Sequence, residues 1–172
     1  MKQLILIVMG VSGCGKTTIG SLLAKELEIK FFDGDEFHPP DNISKMTQGI
    51  PLSDSDREEW LDGLRSLIIS QIKKKEPIVL ACSALKQSYR NYLQVSPSKT
   101  KFIFLKGDYK LISDRMTFRQ NHYMKPSMLR SQFDTLEEPD DAITIDISDP
   151  PEVIIENILM SLGIDNYRMN KV

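Results

Sequence analysis

Residues 10–17 read Gly-Val-Ser-Gly-Cys-Gly-Lys-Thr, which matches the phosphate-binding loop pattern G-x-x-x-x-G-K-[ST] at Gly10, Gly15, Lys16 and Thr17. The pattern constrains the fold because it works only between a buried strand and the N-terminus of a helix. There, backbone N–H groups and the helix dipole converge on an oxyanion. Both flanks are present. Gln3–Met9 is an apolar, β-branched run suited to a buried parallel strand, and Ile19–Leu27 is predicted to place Leu22, Leu23 and Leu27 on one helical face. The loop therefore predicts a nucleotide held by Gly10, Val11, Ser12, Gly13, Cys14, Gly15, Lys16, Thr17 and Thr18. Lys16 is expected to reach the β and γ phosphates, and the Thr17 hydroxyl to coordinate the accompanying Mg2+.

A chain of 172 residues suits one domain, since at that length roughly 70% of the unfolded surface can be buried. The formal net charge of −2 argues against a broad nucleic-acid footprint. The compact basic run Lys73-Lys74-Lys75 reads as a solvated helix terminus favoured by the dipole. No apolar run reaches eighteen residues, so no membrane span is expected and the protein is read as soluble and cytoplasmic. The two cysteines, Cys14 and Cys82, do not form a disulfide framework and are expected to be reduced. A helix N-terminus lowers a thiol pKa, which leaves a redox role for Cys14 open beside the simpler need for a small residue in the loop.

Strand and helix signals alternate along the chain. Further strands are predicted at Ile29–Phe32, Ile78–Cys82, Lys101–Leu105 (weakly alternating) and Ile143–Ile147. Helices are expected around Ile43–Thr47, after a Ser53-x-x-Asp56 capping box, from Ser83 to Tyr92, after an Asp108 cap, over Met128–Leu136, and over Val153–Leu162. This predicts an α/β, three-layer fold: a five-stranded parallel sheet with helices on both faces and a helical lid. Residues 1–172 are read as one domain, with a binding insert at about 36–60 and a lid at about 115–136. Such sheets bind ligands beyond the carboxyl ends of their strands. That rule brings the loop, Asp33 with Asp35, and Ser83 with Lys86 to one cleft. The guanine-reading sequence Asn-Lys-x-Asp is absent. An acidic pair, a polar insert and a lid-like segment with Arg115 and Arg119 instead form the layout of a small-molecule kinase that closes over two substrates.

The run from Asp33 to Arg57 followed by Trp60-Leu61, the block Cys82-Ser-Ala-Leu-Lys86 with Tyr89-Arg90, and His122-Tyr-Met with Leu129-x-Ser-Gln-Phe-x-x-Leu-Glu137 together resemble the gluconate kinase (gluconokinase) family of P-loop kinases. The resemblance covers nearly the whole chain, and it implies transfer of the γ-phosphate of ATP to the 6-hydroxyl of D-gluconate. Two departures are small. Glu59 stands where proline is frequent, and Tyr123 where phenylalanine is common. On this reading Asp35 orients the acceptor hydroxyl and takes its proton late in transfer. Asp33 acts on magnesium through a water. Arg57 supplies the cation for the gluconate carboxylate, because a guanidinium presents paired donors. His38, extended before Pro39, aims at the cleft. Lys45, Lys86, His122 and Gln132 are substrate candidates on the strength of their motifs. By similarity to the wider kinase group, Arg115 lies near the adenine or phosphates and Arg119 reaches the transferring phosphoryl. The adenine site is placed near Ile147–Pro150, and the resemblance suggests a homodimer. Two alternatives stay open: a kinase of another small polyhydroxy acid such as shikimate, against which the Asp35–Trp60 block argues, and a nucleotide-binding regulator without turnover. Arg119→Ala is expected to lower kcat far more than it raises the KM for gluconate; steady-state kinetics with kcat unchanged would remove Arg119 from the mechanism.

Overall fold

Every residue of Ile5–Met9 is buried, so this strand, β1, can only sit inside a sheet covered on both faces. In the computed structural model, which describes residues 4–118 and 126–164, it is the central strand. β2 (Lys30–Asp33), β3 (Ile78–Ala81), β4 (Thr100–Lys106) and β5 (Ile143–Asp146) complete a sheet of order β2-β3-β1-β4-β5, with every pairing parallel. Among the described residues the helices are α1 (Lys16–Glu26), α2 (Pro40–Gln48), α3 (Asp54–Lys74), α4 (Gln87–Leu93), α5 (Tyr109–Phe118), α6 (Pro126–Thr135) and α7 (Pro151–Ser161).

Period-two alternation along the central strands divides the core in two. Leu6, Val8, Val79 and Ile103 face one side and pack with Ile19 and Leu23 of α1 and Ile154 and Ile158 of α7. Ile5, Ile7, Leu80 and Phe102 face the other, against Trp60, Leu64 and Ile68 of α3. Both faces being covered, Phe102 to Leu105 are all buried, and the weak alternation expected there is replaced by a continuous apolar run. The predicted face of α1 is also corrected. The helix starts at Lys16 and buries Ile19, Gly20, Leu23 and Ala24, while Leu22 is 38% exposed and Leu27 lies beyond the last turn. At Gly20 the helix packs closely on β2, since a Cβ there would stand 2.7 Å from the Phe31 ring.

The local signals act where expected. Ser53 and Asp56 form a reciprocal capping box at α3. Asp108 Oδ1 accepts the Leu111 amide at 2.7 Å at the head of α5. α2 is longer than predicted, opened by Pro40 in its first turn and closed by Gly49 at φ 77°. The helix expected from Ser83 begins only at Gln87, since Ala84 adopts a left-handed φ of 45°.

Between β2 and α2 lies a 3-10 turn, Gly34–Phe37, fixed from both sides. A Cβ on Gly34 would lie 2.5 Å from the Ala81 carbonyl oxygen, so only glycine fits. The Gly34 carbonyl in turn accepts the Trp60 Nε1–H at 2.7 Å in a buried bond. Trp60→Phe leaves that carbonyl unpaired, and a loss of about 1–3 kcal/mol in urea unfolding is expected; a loss below about 0.5 kcal/mol would show that water replaces the indole. The Lys45 ammonium and the Ser53 amide and hydroxyl hold the Asp56 carboxyl down to about 2 from its usual 3.8. Because the folded value is the lower one, this stabilisation is complete above about pH 4 and is lost as pH falls through about 2. In Asp56→Asn the destabilisation seen at neutral pH should therefore shrink across that window; a gap that stays constant in acid-unfolding curves would refute it.

Candidate active site

The loop after β1 turns through glycines in left-handed backbone, Gly13 at φ 80° and Gly15 at φ 101°, and delivers the chain into α1. Ser12, Gly13, Gly15, Lys16, Thr17 and Thr18 line the cleft at the carboxyl edge of the sheet. Gly10, Val11 and Cys14 form the underside. Val11 and Cys14 are 2% exposed, and a Cβ on Gly10 would stand 2.8 Å from the Cys14 sulfur. Burial pushes the Cys14 thiol pKa up, outweighing the nearby Lys16 charge and the helix amides. Cys14 is a packing residue with a free thiol, and Cys82, also free and buried, is pushed up to about 12 chiefly by burial. Lys16 Nζ donates to the Val11 carbonyl at 3.0 Å, folded across the loop it serves.

β2 delivers the acidic pair. Asp33 Oδ2 accepts the Thr17 hydroxyl at 2.8 Å, and Asp33 Oδ1 caps the 3-10 turn by accepting the Asp35 amide at 3.0 Å. Asp35 therefore projects into the cleft beside the loop, with His38 one turn further on. His38 is extended, at φ −68° and ψ 133°, and its ring stacks on Trp60 with centroids 4.6 Å apart and planes 9° apart. Burial, against the opposing pull of Asp35, holds the imidazole pKa below its usual value, so the ring is neutral at pH 7. Its Nδ1 lies 3.3 Å from Asn42 Nδ2, which also donates to the Asp56 carbonyl at 2.6 Å. With Nδ1 accepting from Asn42, the Nε2–H is the ring's donor.

Arg57 reaches the cleft from the first turn of α3 with its side chain 14% exposed. Its Nη1 donates to the Leu52 carbonyl at 2.7 Å and approaches the Tyr89 hydroxyl at 3.4 Å. The opposite wall comes from α6, where Met128, Ser131, Gln132 and Thr135 face the cleft. Gln132 Oε1 accepts the Ser12 backbone N–H at 2.6 Å, so this predicted substrate residue is docked on the phosphate loop itself.

Three other predicted residues stand off the cleft wall. Lys45 pairs with Asp56 at 2.6 Å and opens onto a separate depression with Pro39, Asn42 and Glu59. Lys86 binds both oxygens of Asp54 at 2.8 Å. Each lysine meets a carboxylate in the first turn of α3 before it can reach the cleft. Arg115 lies on the far side of the loop, its Nη2 donating to the Ile147 carbonyl at 2.6 Å, at the start of the segment expected to meet adenine. Arg119 and His122 fall outside the described residues. Ser83, which the strand-end rule brought to the cleft, lines it, whereas sequence reasoning assigned no site role to Trp60, Tyr89 or the apolar Leu52 and Met128. Trp60 read as core by its helical spacing, and Tyr89 stood in a motif without a partner that spacing could identify.

A divalent cation has a fitting pair in Thr17 and Asp33. One hydroxyl and one carboxylate are the sparse protein contribution that magnesium takes when it keeps waters and phosphate oxygens. Among the described residues no cluster of three or more His, Cys, Asp or Glu could hold a metal by itself, and no helix is long and apolar enough to cross a membrane.

Comparison with known proteins agrees with this geometry. The family model described as shikimate kinase matches residues 12–161. The thermosensitive gluconokinase of Escherichia coli (strain K12) is 48% identical over 146 residues, covering 83% of this chain and 78% of that protein. The thermoresistant gluconokinase of the same strain is 39% identical over 159 residues, covering 90% and 91%. The crystal structure of a gluconokinase from Sinorhizobium meliloti 1021 matches with a TM-score of 0.86 at 37% identity, over 99% of this chain and 98% of that one. With the phosphate loop, the acidic pair and the Arg57 insert on one cleft, the chain belongs to the shikimate kinase-like P-loop kinases and, among them, to the gluconokinase family.

Proposed function

We infer that the chain is a gluconokinase that transfers the γ-phosphoryl group of ATP to the 6-hydroxyl of D-gluconate, giving 6-phospho-D-gluconate and ADP. The observation that carries this reading is the composition of the cleft. A phosphate loop shares one cavity with a carboxylate, Asp35, and a guanidinium, Arg57, that arrive on separate elements. An acceptor with a hydroxyl at one end and a carboxylate at the other matches that pair. The two free, buried thiols suit a reducing compartment, and we place the reaction in the cytoplasm.

Phosphoryl transfer needs little covalent chemistry from the protein, so the work lies in positioning and charge. The loop amides and Lys16 hold the β and γ phosphates. Thr17 and Asp33 would hold a magnesium ion, Asp33 by way of a water, and the ion would neutralise phosphate charge. Asp35 orients the 6-hydroxyl and accepts its proton as the new O–P bond forms. Arg57 receives the gluconate carboxylate with paired donors, and the neutral His38 ring donates from Nε2 to a hydroxyl along the polyol chain. Arg115 serves the adenine or the phosphates, and Arg119 offsets the negative charge on the transferring group. The lid, about residues 115–136, excludes water from a phosphoryl group that would otherwise pass to it.

Incubation with ATP, Mg2+ and D-gluconate should yield 6-phosphogluconate in equimolar amount with ADP, and shikimate in its place should yield no phosphorylated product. Lys16→Ala should lower kcat by about a hundredfold or more, and Asp35→Asn by about 10²–10⁴-fold with little change in the KM for ATP. ATP binding without turnover on gluconate would overturn the assignment.

A further inference from the structure

Arg57 is held in a way that its role as carboxylate receptor does not by itself require. Asp54 stands three residues away on the same turn of α3, with Oδ1 4.0 Å from Arg57 Nη1. An unopposed carboxylate at that distance would close on the guanidinium and take the place a substrate carboxylate needs. Two other groups occupy Asp54 instead. Lys86 Nζ donates to both of its oxygens at 2.8 Å, and the Tyr89 hydroxyl donates a hydrogen bond to Oδ1. These bonds hold the Asp54 carboxyl below the usual carboxylate range, Lys86 first and Tyr89 second.

Tyr89 acts in two directions. It is buried, at 6% exposure, with its hydroxyl giving its hydrogen to Asp54 and accepting from Arg57 Nη1 at 3.4 Å. The same Nη1 is committed to the Leu52 carbonyl at 2.7 Å. All the hydrogen bonds of Arg57 among the described residues run through Nη1, so the remaining donors of the fork stay available to a ligand. The charge count agrees: Arg57 and Lys86 against Asp54 leave one net positive charge beside the cleft.

We propose that Asp54, Tyr89 and Lys86 form a positioning cluster that keeps Arg57 open for an anionic acceptor: Tyr89 and the Leu52 carbonyl fix one guanidinium nitrogen, and Lys86 holds Asp54 away. Lys86 thereby sets the preference for an acid without touching it. The proposal rests on Arg57 receiving the gluconate carboxylate, and the experiment separates the two claims.

Steady-state kinetics with gluconate and ATP are measured for Arg57→Gln, Tyr89→Phe, Lys86→Met, Asp54→Asn and the pair Lys86→Met with Asp54→Asn, each checked for folding by thermal unfolding. Lys86→Met releases Asp54 onto Arg57 and should raise the KM for gluconate about tenfold, the equivalent of about 1.4 kcal/mol. Its kcat and the KM for ATP should move by less than about threefold. Tyr89→Phe should act in the same direction by about fivefold, from the loss of one hydrogen bond. In the double variant the competing carboxylate is gone, so the KM should return to within about threefold of the parent, a rescue that a merely structural role would not produce. If Arg57→Gln leaves the KM for gluconate unchanged, the receptor reading falls. If Arg57→Gln raises it but Lys86→Met does not, or the double variant stays as impaired as Lys86→Met alone, the positioning cluster is refuted and, in the latter case, Lys86 binds the acceptor itself.

Discussion

One oxygen of Asp33 accepts the Thr17 hydroxyl at 2.8 Å, and the other accepts the Asp35 amide at 3.0 Å. Through these two bonds a single carboxylate joins the phosphate loop, which follows β1, to the 3-10 turn that carries the acceptor-side acid, which follows β2. The two strands are not neighbours. β3 lies between them, and the register Asp33 against Ala81 and Val8 against Ala81 sets the ends of all three strands level. Without that levelling the Asp33 side chain could not span the gap. The sheet thus contributes to function through its register, a property of packed backbone that no site residue carries alone.

The same economy recurs on the acceptor side. Trp60 fills the core beneath the sheet, donates to the Gly34 carbonyl and presents its face to His38. Its burial favours folding, its N–H satisfies a carbonyl that would otherwise be unpaired, and its ring orients a polar residue. Gly34 makes the arrangement feasible, because any side chain there would collide with the end of β3. A site assembled from residues that are also core residues is stiff. Its donors are held in place before substrate arrives, which is where electrostatic preorganisation obtains its advantage.

Features governed by local chemistry were legible in the sequence. The glycine loop, the capping box at Ser53 and Asp56, the Asp108 cap and the parallel strands all follow from short-range rules. The phase of α1 was not, because both leucines fit a helical stripe and burial of Leu23 rather than Leu22 is decided by how the helix seats on the sheet, where Gly20 meets the Phe31 ring. Lys45 and Lys86 were expected at the substrate because their motifs lie near it. Where a flexible ammonium settles is decided by the nearest carboxylate in space, and Asp56 and Asp54 lie eleven and thirty-two residues away in sequence. The cleft was readable as a set of elements converging on one sheet edge. Its internal pairings were not, since they are set by distances of a few ångströms between segments that share no local signal.

The contact between Gln132 and Ser12 shows how such pairings bear on the chemistry. A backbone N–H carries one hydrogen, and here the Ser12 amide gives it to the Gln132 carboxamide oxygen at 2.6 Å. If that amide is one of those that hold a nucleotide phosphate, the two acceptors compete for it, and phosphate binding replaces the bond that fastens α6 to the loop. The chain just beyond the C-terminus of α6 is tied differently. The Glu137 amide donates to the Leu85 carbonyl at 2.9 Å, and the Glu137 carboxylate accepts the Gln87 amide at 2.6 Å, so that end stays fixed to the loop after β3. α6 is also held by Leu129, buried in the core, and by the Phe133 ring against Tyr109, so exchange of the Ser12 bond detaches the Gln132 carboxamide from the loop without releasing the helix. The exchange takes place on the donor side of the cleft, and Ser131 and Thr135 of the same helix line the cavity beside it, so one short helix faces both the nucleotide loop and the shared cavity.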